Sequence, residues 1–295
     1  MKKNILVSLA VCLFLSGAAL VSAQEQARTG PPKVLRIFRE EVKPGKGSAH
    51  EKVEAAWAQA FRKAKYPAHY LAVTSVSGPS EAWFLEGHDS LASAEQADQF
   101  VDKNAALKAE VDQISQQESG IIAGGRSIVA VYREDLSYRP TGVNLGQMRY
   151  FYVTTARIRL GHENDFVEAN KIVRAAHEKA DVPEHWAVFQ VTLGMPAGTY
   201  LILQPLKTLA EVDAFAQTHG KAYQDATGEE GQKKLRELAS AGYLSWETNV
   251  FAFNPKMSYV SKETASADPN FWTPKPAAKA APAAKKEAKK PAAKP

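Results

Sequence analysis

The sequence predicts an α+β fold: two tandem β-α-β-β-α-β units packed sheet to sheet. The first observation behind this is a copied stretch. Val182-Pro-Glu-His-Trp-Ala-Val-Phe-Gln-Val-Thr-Leu-Gly repeats Tyr66-Pro-Ala-His-Tyr-Leu-Ala-Val-Thr-Ser-Val-Ser-Gly, so Pro67 matches Pro183, His69 matches His185, Tyr70 matches Trp186 and Gly78 matches Gly194. The same offset of 116 pairs Gly45 with Gly161, Leu85 with Leu201 and Glu95 with Glu211. An offset held over that span marks an internal repeat. The second observation is that strand-like and helix-like periodicities follow one order in both copies. The third is physical: one such sheet carries helices on one face and leaves the other bare, and a tandem copy supplies the cover.

In the first unit, Val34 to Val42 is rich in β-branched and aromatic residues and reads as a strand. Lys43 to Gly47 is a turn, and Ser48 is the expected helix cap, with Glu51 completing a capping box. The helix places Val53, Trp57, Ala60, Phe61 and Ala64 on one face, and Pro67 ends it. His69 to Val76 is a strand, Gly78-Pro79-Ser80 a turn, and Ala82 to Glu86 the next strand. Asp89 or Ser90 caps a helix from Leu91 to about Gln117, broken near Asn104, and Arg126 to Glu134 closes the unit.

The second unit follows suit. Met148 to Ile158 is a strand, and Glu163 to Ala180 a helix with Phe166, Ala169, Val173 and Ala176 inward. His185 to Leu193 and Tyr200 to Gln204 are strands around a turn at Gly194 to Gly198. A helix begins near Leu209, is interrupted at Gly228-Glu-Glu-Gly231, and is followed by a strand from Ser245 to Asn254. Lys256 to Tyr259 echoes Asp135 to Tyr138 at an offset of 121. A five-residue insertion near the Gly-rich interruption is the expected cause.

The domain plan is therefore a signal peptide (1–23), a leader (24–32), the first unit (33–140), the second (141–262) and a disordered Ala/Lys/Pro-rich tail (263–295). Lys2 and Lys3, an apolar run from Ile5 to Leu20 and the small residues Val21-Ser22-Ala23 form a Sec-type signal cut near Ala23. Its core is short for a membrane span. The expected location is periplasmic or secreted, with no transmembrane span after processing. Cys12 is the single cysteine and leaves with the signal, so disulfides and thiolate chemistry are ruled out in the mature chain. Residues 273–295 contribute +6 and Lys2 and Lys3 another +2, which leaves −3 for the rest of a chain at +5. That balance carries no nucleic-acid footprint. The basic tail reads as a solvated spacer, or as an adhesive for anionic cell-envelope polymer that weakens in salt.

The element order, twice β-α-β-β-α-β with a glycine turn before each first helix, is that of the ferredoxin-like unit. On those features, over about 33–260, the chain resembles the dimeric α/β-barrel superfamily, which includes antibiotic-biosynthesis-monooxygenase-like, EthD-like and NIPSNAP-like domains. The resemblance implies a single-chain version of a barrel usually made by two subunits. It implies no particular reaction: some members oxidise aromatic substrates or degrade haem.

Strand alternation sorts candidate pocket residues. Leu35 and Ile37, aligned with Phe151 and Val153, are expected to face the helices. Arg36, Phe38 and Glu40, with Tyr152, Thr154 and Ala156, are expected to face a cavity between the sheets, as are Tyr70, Ala72 and Thr74 with Trp186, Val188 and Gln190. Aromatics with a few polar groups suit a small-molecule pocket. The candidate ligand-binding residues are Arg36, Tyr70, Tyr152, Trp186 and Gln190, joined by His69 and His185. The alternative is that these side chains interlock as a dry inter-sheet core and that the paired histidines cap helix ends or bond turn carbonyls. Glu184 is adjacent to His185 in one copy only. His50, His162, His177 and His219 show no metal-ligand spacing, so no metal and no cofactor are expected, and no catalytic set is assembled. No Gly-x-Ser-x-Gly elbow or phosphate loop is present. The first functional reading is a non-enzymatic small-molecule-binding or scaffold protein. The rivals are a cofactor-independent oxygenase or haem- or aromatic-modifying enzyme, with His69, His185 and Arg36 as its polar groups, and an envelope interaction module acting through the tail.

Overall fold

The computed structural model describes residues 30–273. The expected signal peptide, most of the expected leader and the Ala/Lys/Pro run lie outside the described residues. The first half contains β1 (Val34–Val42), α1 (Gly47–Ala64), β2 (Tyr70–Ser75), β3 (Glu81–His88), α2 (Leu91–Lys103), α3 (Ala105–Glu118) and β4 (Ile122–Tyr138). The second contains β5 (Tyr150–Ile158), α4 (Glu163–Ala180), β6 (Trp186–Leu193), β7 (Thr199–Leu206), α5 (Ala210–Ala214), a π-helical turn at Phe215–His219, α6 (Gly220–Gly242) and β8 (Tyr243–Phe253). All eight strands close into one antiparallel barrel in the order β1-β3-β2-β8-β5-β7-β6-β4. Within each half the order is the same, and the halves join at two seams, β2 to β8 and β4 to β6. Gly194 sits at the second seam with φ +86°, where a Cβ would overlap the Ser127 carbonyl oxygen. Glycine is needed there both for its backbone angle and for the close approach.

An eight-stranded barrel is just wide enough for side chains to fill it. Here Leu35, Ile37, Trp83, Phe151, Val153 and Phe251, among others from both halves, pack into one interior cluster. This inverts the expected sidedness: Leu35, Ile37, Phe151 and Val153 face into the barrel, not the helices. Tyr70 and Ala72 pack beneath the first half's helices, and Trp186 and Val188 beneath the second's. Alternation separates two faces without saying which lies deeper. The closed interior offers charged groups no partners, whereas the helical layer does, so the more polar set lies outward.

The registers show where the offset between the two halves changes. Arg36 stands opposite Glu86 as Tyr152 stands opposite Gln204, so an offset of 116 at the first strands is 118 at the third. The β6–β7 hairpin therefore holds two of the extra residues, and they are not all at the Gly-rich interruption. Gly228, with φ 69°, does kink α6. Ser48 does not cap α1: the helix starts at Gly47 without a side-chain cap, and Glu51 instead bonds Asn254 and Lys256. Ser90 caps α2 in a reciprocal box with Ser93, and Asn104 caps α3. Order continues past 263, through α7 (Lys262–Ala267) and α8 (Pro269–Trp272). Trp272 is buried against Phe253, and its indole N–H donates to the Gly146 carbonyl at 2.8 Å. Residues 263–273, which the sequence reading placed in a disordered tail, are thus ordered. No helix among the described residues is long and apolar enough to cross a membrane.

Candidate functional site

A cavity of about 250 Å³ opens on the outer face of the second half's sheet, beneath its helices. The sheet contributes a row of three. Tyr152 on β5 stands opposite Gln204 on β7, and the pairing of Ala187 with Leu203 brings Trp186 on β6 to the other side of Gln204. Period-two alternation puts all three under the helices. The helical layer contributes His177 from α4, Phe215 and His219 from the π-helical turn, and Tyr223 from α6.

Most of these rings are held in place. The Trp186 indole N–H donates to the Leu136 carbonyl at 3.0 Å, and His177 meets its face edge-on at 4.9 Å. His177 Nδ1 lies 2.8 Å from the Val173 carbonyl, which can only accept, so its imidazole proton sits on Nδ1. Tyr223 stands 4.8 Å from His177, and burial pushes its hydroxyl up from the ordinary tyrosine value. Phe215 meets Tyr152 edge to face at 6.2 Å.

The polar centre is Glu184 with His219. Glu184 Oε1 accepts from His219 Nδ1 at 2.6 Å, although the residues are 35 apart in sequence. The carboxylate is buried, and its Oε2 has no hydrogen-bond partner. A carboxylate on Nδ1 fixes the tautomer and ring direction and leaves Nε2 to accept a proton or a hydrogen bond. The π-helical turn sets this geometry. Its wider winding is closed by the Gly220 N–H on the Phe215 carbonyl, which a Cβ on Gly220 would crowd. Single π turns inside α-helices recur at functional sites.

Of the residues singled out in the sequence, Tyr152 and Trp186 meet in this cavity. Gln190 lies further along β6 and accepts from Arg133 at 2.8 Å. His185 Nδ1 donates to the Arg139 carbonyl at 2.7 Å, the turn-carbonyl role. Tyr70 packs among Phe61, Phe84 and Tyr259. The His69 ring lies 4.6 Å from that of Tyr259. Arg36 occupies in the first half the place Tyr152 holds in the second. Its guanidinium spans Glu86 at 2.8 Å and Asp98 at 2.7 Å, so charged side chains fill the space there. Glu86 also binds His88. The sequence reading missed Gln204, His177, Phe215, Tyr223 and above all His219. Glu184 was visible only as a neighbour of His185, whereas the fold hands it to His219.

No protein-family model matches the chain, and no curated protein does. Solved structures similar to it include a protein assigned as a monooxygenase from Fusobacterium nucleatum, at 12% identity and TM-score 0.47, over 75% of this chain and 91% of that one. An anthrone oxidase-like protein matches at 12% and 0.49, over 78% and 95%. A mutant chlorite dismutase from Candidatus Nitrospira defluvii matches at 9% and 0.46, over 76% and 93%. At these values no residue role or reaction passes across, and the fold rests on the barrel's own strand order.

Proposed function

We propose that this protein is an exported, duplicated barrel that binds a small aromatic molecule in the cavity of its second half. The carrying observation is an imidazole oriented by a buried carboxylate at the centre of an aromatic-walled cavity. Four rings offer apolar contact, and His219 and Gln204 offer the few polar groups such sites use. At about 250 Å³ the space is smaller than the roughly 300–1,000 Å³ usual for drug-sized ligands. That favours one or two fused rings over a haem. A phenol fits the polarity, since its hydroxyl can donate to His219 Nε2.

The same imidazole favours a second reading, in which His219 is a general base. Withdrawing a phenolic proton makes an electron-rich phenolate, the first requirement of the cofactor-independent oxygenase reading. Export follows from residues 1–23, and the duplication from the offset and matching registers. The tail stays a spacer in this reading.

Calorimetric titration with a panel of one- and two-ring phenols tests the proposal. A bound phenol should lose about tenfold in affinity in His219→Ala, the cost of one buried hydrogen bond. A panel that shows no binding, or binding indifferent to His219, sinks it. Oxygen uptake with the bound phenol separates the base reading from binding alone.

A further inference from the structure

Three metal-capable side chains outside that cavity meet in the first half. Glu40 points from β1 toward the helical layer, on the same face as Arg36. His50 and Glu54 stand four residues apart on one face of α1. His50 Nε2 lies 2.7 Å from Glu40 Oε2 and 3.8 Å from Glu54 Oε1. One donor atom from each residue lies within 4.8 Å of the other two. His50 and Glu54 are buried, at 2% and 4% exposure, on elements that fix their positions.

A separate observation points to a missing ligand. Glu54 Oε1, directed at His50, is buried without a hydrogen-bond partner. Burying a carboxylate oxygen unpaired is costly. Glu40 and Glu54 both face the single imidazole, so acidic groups outnumber basic ones there. The nearby Glu118 is engaged by the Trp57 indole N–H. An open cavity of about 240 Å³, whose lining includes His50, Ser75, Glu81 and Asn254, gives the cluster access to solvent.

We propose that Glu40, His50 and Glu54 bind one divalent transition-metal ion of the zinc kind, through one nitrogen and two carboxylate oxygens. Metal bonds of about 2.1 Å set neighbouring donors roughly 3.4 Å apart in a tetrahedron. The His50–Glu54 separation is already close to that, and the Glu40–His50 pair opens slightly as the cation replaces the shared proton. Nitrogen with oxygen and no sulfur favours zinc over magnesium or calcium. Three protein ligands leave a position for water or a small oxygen ligand from the cavity. The site is independent of the second-half cavity.

Equilibrium dialysis of chelator-stripped full-length protein against zinc tests this, with cobalt(II) as an optical probe. One equivalent of zinc per chain is expected, with visible cobalt bands. His50→Ala and Glu54→Gln should each weaken binding by more than about tenfold, as loss of even an outer-shell partner does. His162→Ala, at a surface pair elsewhere, should bind as wild type. Glu54→Gln preserves volume and decides the matter alone if His50→Ala does not fold. Substoichiometric zinc, equal affinity in Glu54→Gln, or magnesium bound as tightly as zinc overturns the proposal.

Discussion

Glu54 shows what a single residue's surroundings can dictate. Burial first, then the neighbouring charges of Glu40 and Glu118, push its carboxyl up to about 9. In the metal-free folded chain it therefore holds a proton that the unfolded chain releases. A group whose folded pKa is raised contributes its stability fully below the unfolded value, near 4.5, and loses it as pH climbs toward about 9. Glu54→Gln replaces the protonated acid with a neutral isostere and should remove that slope. Melting temperatures of chelated wild type and variant at about pH 5, 7 and 9 should diverge, the variant gaining as pH rises. Parallel profiles would mean that Glu54 titrates as an ordinary surface acid. Neither this cluster nor the Glu184–His219 pair was legible in the sequence. Their members come from different elements, and local spacing reports only neighbours along one element. His50 and Glu54 share a helical face, but without Glu40 from β1 that spacing reads as an ordinary helix pair.

Elements were more legible than partners. Helices and strands declared themselves by period, and Pro67 and Pro183 marked the ends of α1 and α4, whose C-caps, Lys65 and Asp181, both take left-handed backbone angles. The Asn104 break between α2 and α3 was visible too. The π-helical turn was not, because it is one residue's departure from helical winding inside an otherwise helical stretch. Gly220 is its sequence trace. Replacing Gly220 with Ala crowds the Phe215 carbonyl and favours ordinary α-helical winding, which Ala supports better by about 1 kcal/mol. Rewinding turns Phe215 and His219 away from the sheet. Gly220→Ala should thus keep or raise the melting temperature while weakening phenol binding about as much as His219→Ala does. Unchanged binding in a folded Gly220→Ala protein would detach the turn from the site.

At the scale of the whole molecule, closure explains both what the sequence revealed and where it misled. The repeat and the bare sheet faces implied that two sheets shield one another, and the strands do close. The same reasoning placed a ligand between them, yet here side chains from both halves fill the eight-stranded interior. The outer, helix-covered face then becomes the place for chemistry. There the halves differ: Arg36 and its acidic partners fill the first half's position, while Tyr152 leaves the second half's open. Closure also makes the halves inseparable. The interior cluster draws on all eight strands, and both seams pair strands of opposite halves. Neither half can bury its inner sheet face alone, so losing one exposes the other's core to water. Thermal unfolding should therefore be a single transition, with calorimetric and van't Hoff enthalpies in a ratio near one. The indole contact of Trp272 with Gly146 places α8 in the same cooperative unit. Two resolved transitions, or a first half that folds alone as a stable monomer, would show that the seams join independent bodies, and the shared interior would lose its place as the source of the barrel's stability.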